Sequence, residues 1–390
     1  MKIISILGST GSIGKSTLSV IKLHPEKFKV FALAGFNNVD LLLEQTIKFK
    51  PNFIVTKDLK SKRQLMDKLK ETKLDTVVLY GNDGYSFIAS HEEVTTVVAA
   101  ITGSAGLIST IDAAKSGKQI LLANKESMVM AGDLINEICS ANNSTLIPID
   151  SEHNAIFQVF SDNSDTKKIK KVILTASGGP FRDHSLENLK EVTVEEALNH
   201  PNWKMGKKIS VDSATMMNKG LELIEACWLF SLTPDQIEVV VHPQSIVHSM
   251  VEYLDGSILA QLGNPDMRTP IAHALAWPQR ISSGVNSLDI ISAMRLDFES
   301  PNLKKFPCLS LAIKAAKAGG SAPITLNASN EIAVDAFLNK EITFPEIAEI
   351  IALTLKKTIL TNPDSLEAIQ ICDKKSREMT LKLIFEYFKR

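Results

Sequence analysis

At 390 residues and 44% apolar content the chain can bury a full core in each of two or three domains, which excludes a disordered protein. The 43 Lys and Arg against 44 Asp and Glu leave a formal charge of −1, so no basic surplus exists to neutralise phosphates and a dedicated nucleic-acid partner is excluded. Cys139, Cys227, Cys308 and Cys372 lie far apart with no CxxC pair, which excludes a disulfide framework and a thiolate zinc site and suits a reducing compartment.

The first part of the chain alternates short β-branched runs with helical periodicity. Strands are predicted at 3–7, 29–34, 53–56, 75–79, 94–99, 119–123 and 145–149, with helices at 13–23, 39–49, 59–70, 105–116 and 127–141. Such alternation with short connections means a parallel sheet with helices on both faces. Parallel strands are buried on both sides, so a run such as Val94-Thr95-Thr96-Val97-Val98 need not alternate. The fold class is α/β, with a doubly wound, Rossmann-like domain over 1–149. The opening run 3–7 stops at Gly8 and is too short for a signal peptide. No stretch approaches the roughly 18 uncharged apolar residues of a membrane span. A cytoplasmic protein without a membrane partner is expected.

Gly8-Ser9-Thr10-Gly11-Ser12-Ile13-Gly14 follows the first strand and opens the first helix. Glycine there permits a tight turn and close backbone approach to a pyrophosphate seated on the helix N-terminus. A plain strand-to-helix turn would also use glycine, but the position in a doubly wound domain favours dinucleotide binding. The second strand ends Ala34-Gly35-Phe36-Asn37-Asn38, with no carboxylate to repel a 2′-phosphate. Gly35, Asn37 and Asn38 therefore lean the cofactor towards NADP.

Beyond Pro148 the pattern changes. Strands and loops dominate a central α+β catalytic domain, 150–285, in which 246–253 and 257–262 flank the turn dipeptide Asp255-Gly256. The long polar stretch 177–209, with Gly178, Gly179 and Gly206 near its ends, is expected to be a lid. Residues 286–302 read as a connecting arm, and helical periodicity over 303–390, as at Ile347, Ile350, Ile351 and Leu355, marks a C-terminal helical domain.

Two clusters carry chemistry. Asp150 and Glu152 lie two residues apart, on one side if the segment is extended. Like charges so placed repel unless a cation neutralises them, and oxygen-only ligands suit Mg²⁺ or Mn²⁺; two unrelated acids at a solvated strand end are the alternative. Asn218, Lys219 and Glu222 share a helix face beside apolar Met216, Met217 and Leu221. Asn and Lys there can hold a phosphate while Glu222 completes a metal site, although an ordinary amphipathic helix has the same spacing.

The blocks GSTGSIG (8–14), LLANKESM (121–128), IDSEHN (149–154), LTASGGPFR (174–182), HPNWKMG (200–206), VDSATMMNKGLE (211–222), HPQSIVHSM (242–250) and GNPDM (263–267) together resemble the 1-deoxy-D-xylulose 5-phosphate reductoisomerase family. The resemblance spans the whole chain. It implies an NADPH- and divalent-metal-dependent isomerisation and reduction of 1-deoxy-D-xylulose 5-phosphate to 2-C-methyl-D-erythritol 4-phosphate, in isoprenoid precursor biosynthesis, with Mg²⁺, Mn²⁺ or Co²⁺. It implies metal ligation by Asp150, Glu152 and Glu222, and substrate contacts from Lys125, Ser151, Glu152, Ser177, His200, Trp203, Ser213, Asn218, Lys219 and Glu222. Of these, Ser177, Ser213, Asn218 and Lys219 match the phosphate contacts and Trp203 and Met205 the closing loop, with Lys125 and the three acids as the catalytic set. Thr10, Gly11, Ser12, Ile13, Asn124, Glu126 and Gly206 match NADPH contacts. The family's members are homodimers, and the long alternating hairpin 246–262 suits an edge covered by a second copy. The departure lies at 35–38, where many relatives carry Lys or Arg and this chain has Phe36-Asn37; a weaker NADP selectivity is expected there. An NADP-dependent dehydrogenase of another phosphorylated hydroxy compound would need no acid triad, so metal dependence separates the two readings.

Overall fold

The computed structural model describes residues 1–160, 166–203 and 205–388. They form two compact units, one of Met1–Ser127, Ile135–Asn154 and Asp266–Asn286, the other of Met128–Leu134, Ala155–Pro265 and Ser287–Arg390.

The first unit is a regular alternation: β1 (Lys2–Leu7), α1 (Ser12–Leu23), β2 (Phe28–Ala34), α2 (Val39–Phe49), β3 (Phe53–Thr56), α3 (Leu59–Leu69), β4 (Val77–Tyr80), α4 (Gly81–Ser90), β5 (Thr96–Ala99), α5 (Leu107–Lys115), β6 (Gln119–Leu122), α6 (Lys125–Ala141), β7 (Thr145–Pro148) and the start of α7 (Ser151–Val159), with Met128–Leu134 of α6 and α7 from Ala155 on falling in the second unit. The strands make one sheet, ordered β4-β3-β2-β1-β5-β6-β7, with every neighbouring pair parallel. Strands short enough to be buried whole, such as β5, leave only the helices to carry polar faces. The order reverses at β1, whose neighbours are β2 and β5, and the carboxyl ends there open a crevice where a doubly wound sheet binds its ligand.

Sequence and structure differ in two places here. Residues 81–90, with their Gly, Asn and Asp, form α4, a helix not among those predicted. The segment at 150–152 is not extended: α7 begins at Ser151, and the Glu152 backbone N–H donates to Asp150 Oδ1 at 3.4 Å. Helix entry, rather than strand alternation, sets where those two acids point.

The second unit holds β8 (Ile169–Ala176), α8 (Val194–Leu198), α9 (Lys207–Ala214), α10 (Met217–Phe230), β9 (Ile237–Val241), β10 (Val247–Tyr253) and β11 (Ile258–Leu262). After α11 (Arg268–Ala276), which belongs to the first unit, come α12 (Ile290–Ala293), α13 (Pro307–Ala318), α14 (Ala322–Leu338), α15 (Phe344–Lys357) and α16 (Leu366–Leu383). Its sheet runs β11-β10-β8-β9, with β10 and β11 paired as the predicted antiparallel hairpin. The stretch after 150 is richer in helix than the sequence suggested, because α10 packs on this sheet and α9 packs on α8, α10 and α14. One apolar core runs from Val172, Leu174 and Val251 through Leu221 and Ile224 to Leu309, Leu326 and Ile347. Gly220 lets α10 and α13 meet, since a Cβ there would lie 2.4 Å from that of Ala312. Among the described residues no helix is long and apolar enough to cross a membrane.

Candidate active site

The glycine turn has the form a pyrophosphate needs. Gly8 is at φ +87°, and a Cβ on it would sit 2.5 Å from the Ala100 carbonyl oxygen. At Gly14 a Cβ would lie 2.4 Å from the Ser9 Cα. Only glycine lets turn and helix close at both places. Ser9 is locked by a two-way link to Gln45, donating to Oε1 at 2.8 Å and accepting from Nε2 at 2.9 Å. Gly11 and Ser12 are exposed at the tip, with Ile13 half-buried, so the first backbone N–H groups of α1 face outward. Gly35 packs against the Thr10 methyl, which puts the end of β2 beside the turn.

Two of the three asparagines expected at the cofactor, Asn38 and Asn124, cap helices. Asn38 Oδ1 accepts from the Leu41 N–H at 2.9 Å and starts α2. Asn124 is buried; its Oδ1 accepts from the Ser127 N–H and its Nδ2 donates to the Ile101 and Gly103 carbonyls at 2.5 and 2.9 Å, and to Glu126 at 3.2 Å. It thereby fixes the loop after β5 to the start of α6, and delivers Lys125 at that helix's first residue.

Lys125 donates to Asp150 Oδ2 at 2.6 Å, and both side chains are at least seven-eighths buried. Ser151 donates to Glu152 Oε2 at 2.5 Å, and His153 Nδ1 lies 3.6 Å from Asp150 Oδ1. The turn carrying these acids is pinned by Asn154, whose Nδ2 donates to the Pro148 carbonyl at 2.8 Å and to His273 Nδ1 at 3.2 Å. Burial, with the charge of Arg280, drives His273 down to about 4, so it serves as a neutral acceptor.

In the second unit, α10 places Asn218, Lys219 and Glu222 as the helical spacing predicts: Asn218 Nδ2 donates to Glu222 Oε1 at 2.5 Å and Lys219 Nζ to Glu222 Oε2. Lys219 and Glu222 are almost fully buried. Met216, left-handed at φ +60°, separates α9 from α10 and turns Ser213 towards the strand-end loop. Gly179 allows the approach, since a Cβ on it would be 2.7 Å from the Ser213 carbonyl oxygen. Ser177, Ser213, Asn218 and Lys219 are thus all supplied by the second unit, from the end of β8, α9 and the start of α10. Asp212, which sequence reasoning passed over, holds α9 in place: 1% exposed, it accepts from Lys208 and from Asn330 Nδ2, each at 2.8 Å.

The expected lid 177–209 is fastened at His200. The backbone N–H groups of Asn202 and Trp203 donate to its Nδ1 at 3.2 and 3.0 Å, so that nitrogen carries no proton. The proton therefore sits on Nε2, which donates to Ser177 Oγ at 2.9 Å, while the Gly179 N–H donates to the same oxygen at 3.2 Å. Ser177, accepting twice, keeps its own hydroxyl proton for a ligand. Asn202 donates to the Pro243 carbonyl and Ser245 Oγ, and the Trp203 ring centroid is 6.3 Å from that of His248. Gly206 is exposed at the N-terminus of α9; Lys204, inside the expected lid, lies outside the described residues. His242 accepts at Nε2 from the Ile246 N–H and donates from Nδ1 to the Asp297 carbonyl; both nitrogens hold backbone.

Burial holds the His200 imidazole at about 4, below its ordinary 6.5. The neutral form is preferred by the folded state, so its contribution is fully present above the unfolded value and is lost as pH falls towards the folded one. Hydrogen exchange at the Asn202 and Trp203 amides, corrected for intrinsic rates, should be protected at neutral pH and lose protection between about 6.5 and about 4. Equal protection across that window would contradict the assigned tautomer.

Comparison with known proteins agrees with this geometry. Family models match at 4–132 (1-deoxy-D-xylulose 5-phosphate reductoisomerase), 146–230 (its C-terminal domain) and 262–379 (DXP reductoisomerase C-terminal domain). Curated 1-deoxy-D-xylulose 5-phosphate reductoisomerases from Cellvibrio japonicus and Stutzerimonas stutzeri are 51% and 54% identical, covering 98% and 96% of both chains. A crystal structure of DOX-P reductoisomerase in complex with NADPH, fosmidomycin and magnesium superposes with a TM-score of 0.93 at 50% identity over 99% of this chain and 100% of the other. The Zymomonas mobilis enzyme in complex with NADPH gives 0.92 at 44% identity, over 99% of each chain. The chain belongs to the 1-deoxy-D-xylulose 5-phosphate reductoisomerase family.

Proposed function

We propose that this chain converts 1-deoxy-D-xylulose 5-phosphate to 2-C-methyl-D-erythritol 4-phosphate, using NADPH and a divalent cation, as a step in isoprenoid precursor synthesis. The observation that carries the reading is that Asp150 and Glu222 are buried against ammonium groups, Asp150 against Lys125 and Glu222 against Lys219. Burying a carboxylate is costly unless it is paired, and hard oxygen donors without thiolate or imidazole suit Mg²⁺ or Mn²⁺. Relatives bound to magnesium, NADPH and fosmidomycin support both cofactors. Asp150, Glu152 and Glu222 together would hold the ion, with Ser151 orienting Glu152. Residues 1–149 are assigned to the cofactor and 150–285 to metal and substrate, with 286–302 as the arm and 303–390 as the helical support.

The bound cation supplies Lewis-acid polarisation of the substrate's neighbouring carbonyl and hydroxyl oxygens, and NADPH supplies the hydride. The chain's own residues do the rest. Ser177, Ser213, Asn218 and Lys219 hold the phosphate, whose binding energy orients carbons remote from it. Lys219 is suited to this because its ammonium can pass from Glu222 to a phosphate once that carboxylate has another cation. Lys125 steadies negative charge developing on oxygen beside Asp150. Neutral His200 fixes the Ser177 hydroxyl as a donor. Trp203, in the segment that His200 fastens, covers the carbon skeleton and excludes water. At the glycine turn the N–H groups of α1 receive the pyrophosphate, with Thr10, Gly11, Ser12 and Ile13 at its rim. Gly35 and Asn37 flank the adenosine end, and Glu126 and Gly206 the nicotinamide end.

A second copy of the chain is the proposed partner. β11 is the outer strand of its sheet, with Ile258, Leu259 and Leu262 exposed, and Ile290, Ile291 and Met294 on the arm are 72%, 88% and 90% exposed. Apolar exposure beside an open strand edge is what a partner strand covers. Four free cysteines accord with a cytoplasmic location.

Adding 1-deoxy-D-xylulose 5-phosphate should cause Mg²⁺- or Mn²⁺-dependent NADPH oxidation that EDTA stops. Asp150→Asn and Glu222→Gln should each lower kcat at least about a hundredfold while NADPH affinity changes less than about threefold. Loss of NADPH affinity in step with turnover would sink the metal assignment. Sedimentation at micromolar concentration should give a dimer, converted towards monomer by Ile291→Asp; a monomeric wild-type mass would refute the partner.

A further inference from the structure

In a doubly wound domain, the end of β2 meets the adenosine ribose, and a carboxylate there selects the cofactor lacking a 2′-phosphate. This chain has Phe36-Asn37-Asn38 at that place, with no acid and no cation, and Asn38 spends its carbonyl oxygen on capping α2. The structure brings a cation from the next strand. β2 and β3 run parallel with Ala34 opposite Val55, and the Gly35 N–H donates to the Val55 carbonyl at 3.0 Å. Continuing that register by two residues sets Phe36 beside Lys57. The Lys57 ammonium lies 4.8 Å from the centre of the Phe36 ring, and both residues are exposed at the carboxyl edge of the sheet.

The neighbouring acids are already engaged. Asp58 caps α3 through the Ser61 N–H at 2.8 Å, an arrangement that lowers its pKa, and Asp40 is paired with Lys68. Lys62 is turned to the far side of this edge, over Tyr80. Lys57 therefore places an ammonium at the β2–β3 edge, resting on the Phe36 ring in the loop after β2, where the ribose would lie.

We propose that Lys57, seated on Phe36, reads the 2′-phosphate of NADPH and supplies from β3 the positive charge that the loop after β2 lacks. Phe36 is a positioning residue: its ring, 4.8 Å from the ammonium, holds it beside the loop after β2. Selectivity for NADPH in this chain then resides in a pair of residues 21 positions apart in sequence that meet only because β2 and β3 are neighbours. The inference rests on the proposed dinucleotide site, and its test separates the two.

Dissociation constants for NADPH, NADH, 2′,5′-ADP and ADP should be measured by calorimetry on the wild type, Lys57→Gln, Phe36→Leu and the double variant Lys57→Gln/Phe36→Lys. Lys57→Gln should weaken NADPH and 2′,5′-ADP about tenfold and NADH and ADP less than about twofold, the loss of one charge-assisted phosphate contact. Phe36→Leu should lose part of the same preference, and the double variant should regain it by placing the ammonium directly after β2. The wild-type preference for NADPH should also shrink as salt is raised. An unchanged NADPH-to-NADH ratio in folded Lys57→Gln, or an equal loss for both, overturns the role of Lys57 and leaves the dinucleotide site standing. A wild type that binds neither dinucleotide overturns both.

Discussion

The structure turns on carboxylates kept in places where water cannot solvate them. Removing an ion from water costs several kcal/mol even after the protein relaxes, so an acid buried in a fold needs a cation at contact distance. Asp150 has Lys125 and Glu222 has Lys219, and each ammonium arrives by a different local device. Lys125 is the first residue of α6, placed there by the buried Asn124 cap. Lys219 reaches Glu222 across one turn of α10, which the left-handed Met216 starts afresh after α9. Hydrophobic residues of similar size would serve stability as well as such pairs or better. Their presence suits the proposed chemistry, which needs an oriented carboxylate able to exchange its partner.

The surrounding structure holds these groups and their neighbours still. Asn154 and His273 pin the turn that carries Asp150 and Glu152, and Asp212 with Asn330 pins the helix that carries Ser213. Gly179 and Gly220 matter for their missing side chains, one permitting the approach to Ser213 and the other the packing of α10 on α13. His200 acts by remaining neutral. With Nδ1 taken by two backbone donors it can only donate at Nε2, and that choice passes through Ser177 to any anion beside it.

Much of this was legible in the sequence, for reasons that are local. The glycine turn announces itself by position between a strand and a helix, and the face shared by Asn218, Lys219 and Glu222 follows from helical spacing alone. What escaped is non-local or ambiguous. Residues 81–90 carry turn-type residues yet form a helix, because packing against the sheet outweighs propensity. Asp150 and Glu152 suggested a strand because the apolar run before them is one; the helix start at Ser151 has no strong signal of its own. The capping by Asn38 and Asn124 was masked by their reading as ligand amides, since the residue types that cap helices are also those that bind ligands, and one role leaves the other open. Lys57 was invisible, since its nearness to Phe36 depends on which strands are neighbours, and Asp212 hid for the same reason, its partner lying 118 residues away.

The proposed metal site requires Asp150, just before α7, Glu152 on α7 and Glu222 on α10 to serve one ion. Titration of Mn²⁺ into the protein, followed by the loss of the free-ion paramagnetic resonance signal, tests it most directly. One tight site per chain is predicted, and Asp150→Asn and Glu222→Gln, made separately, should each abolish that same site. Two sites, or a site that survives either substitution with its affinity intact, would contradict it.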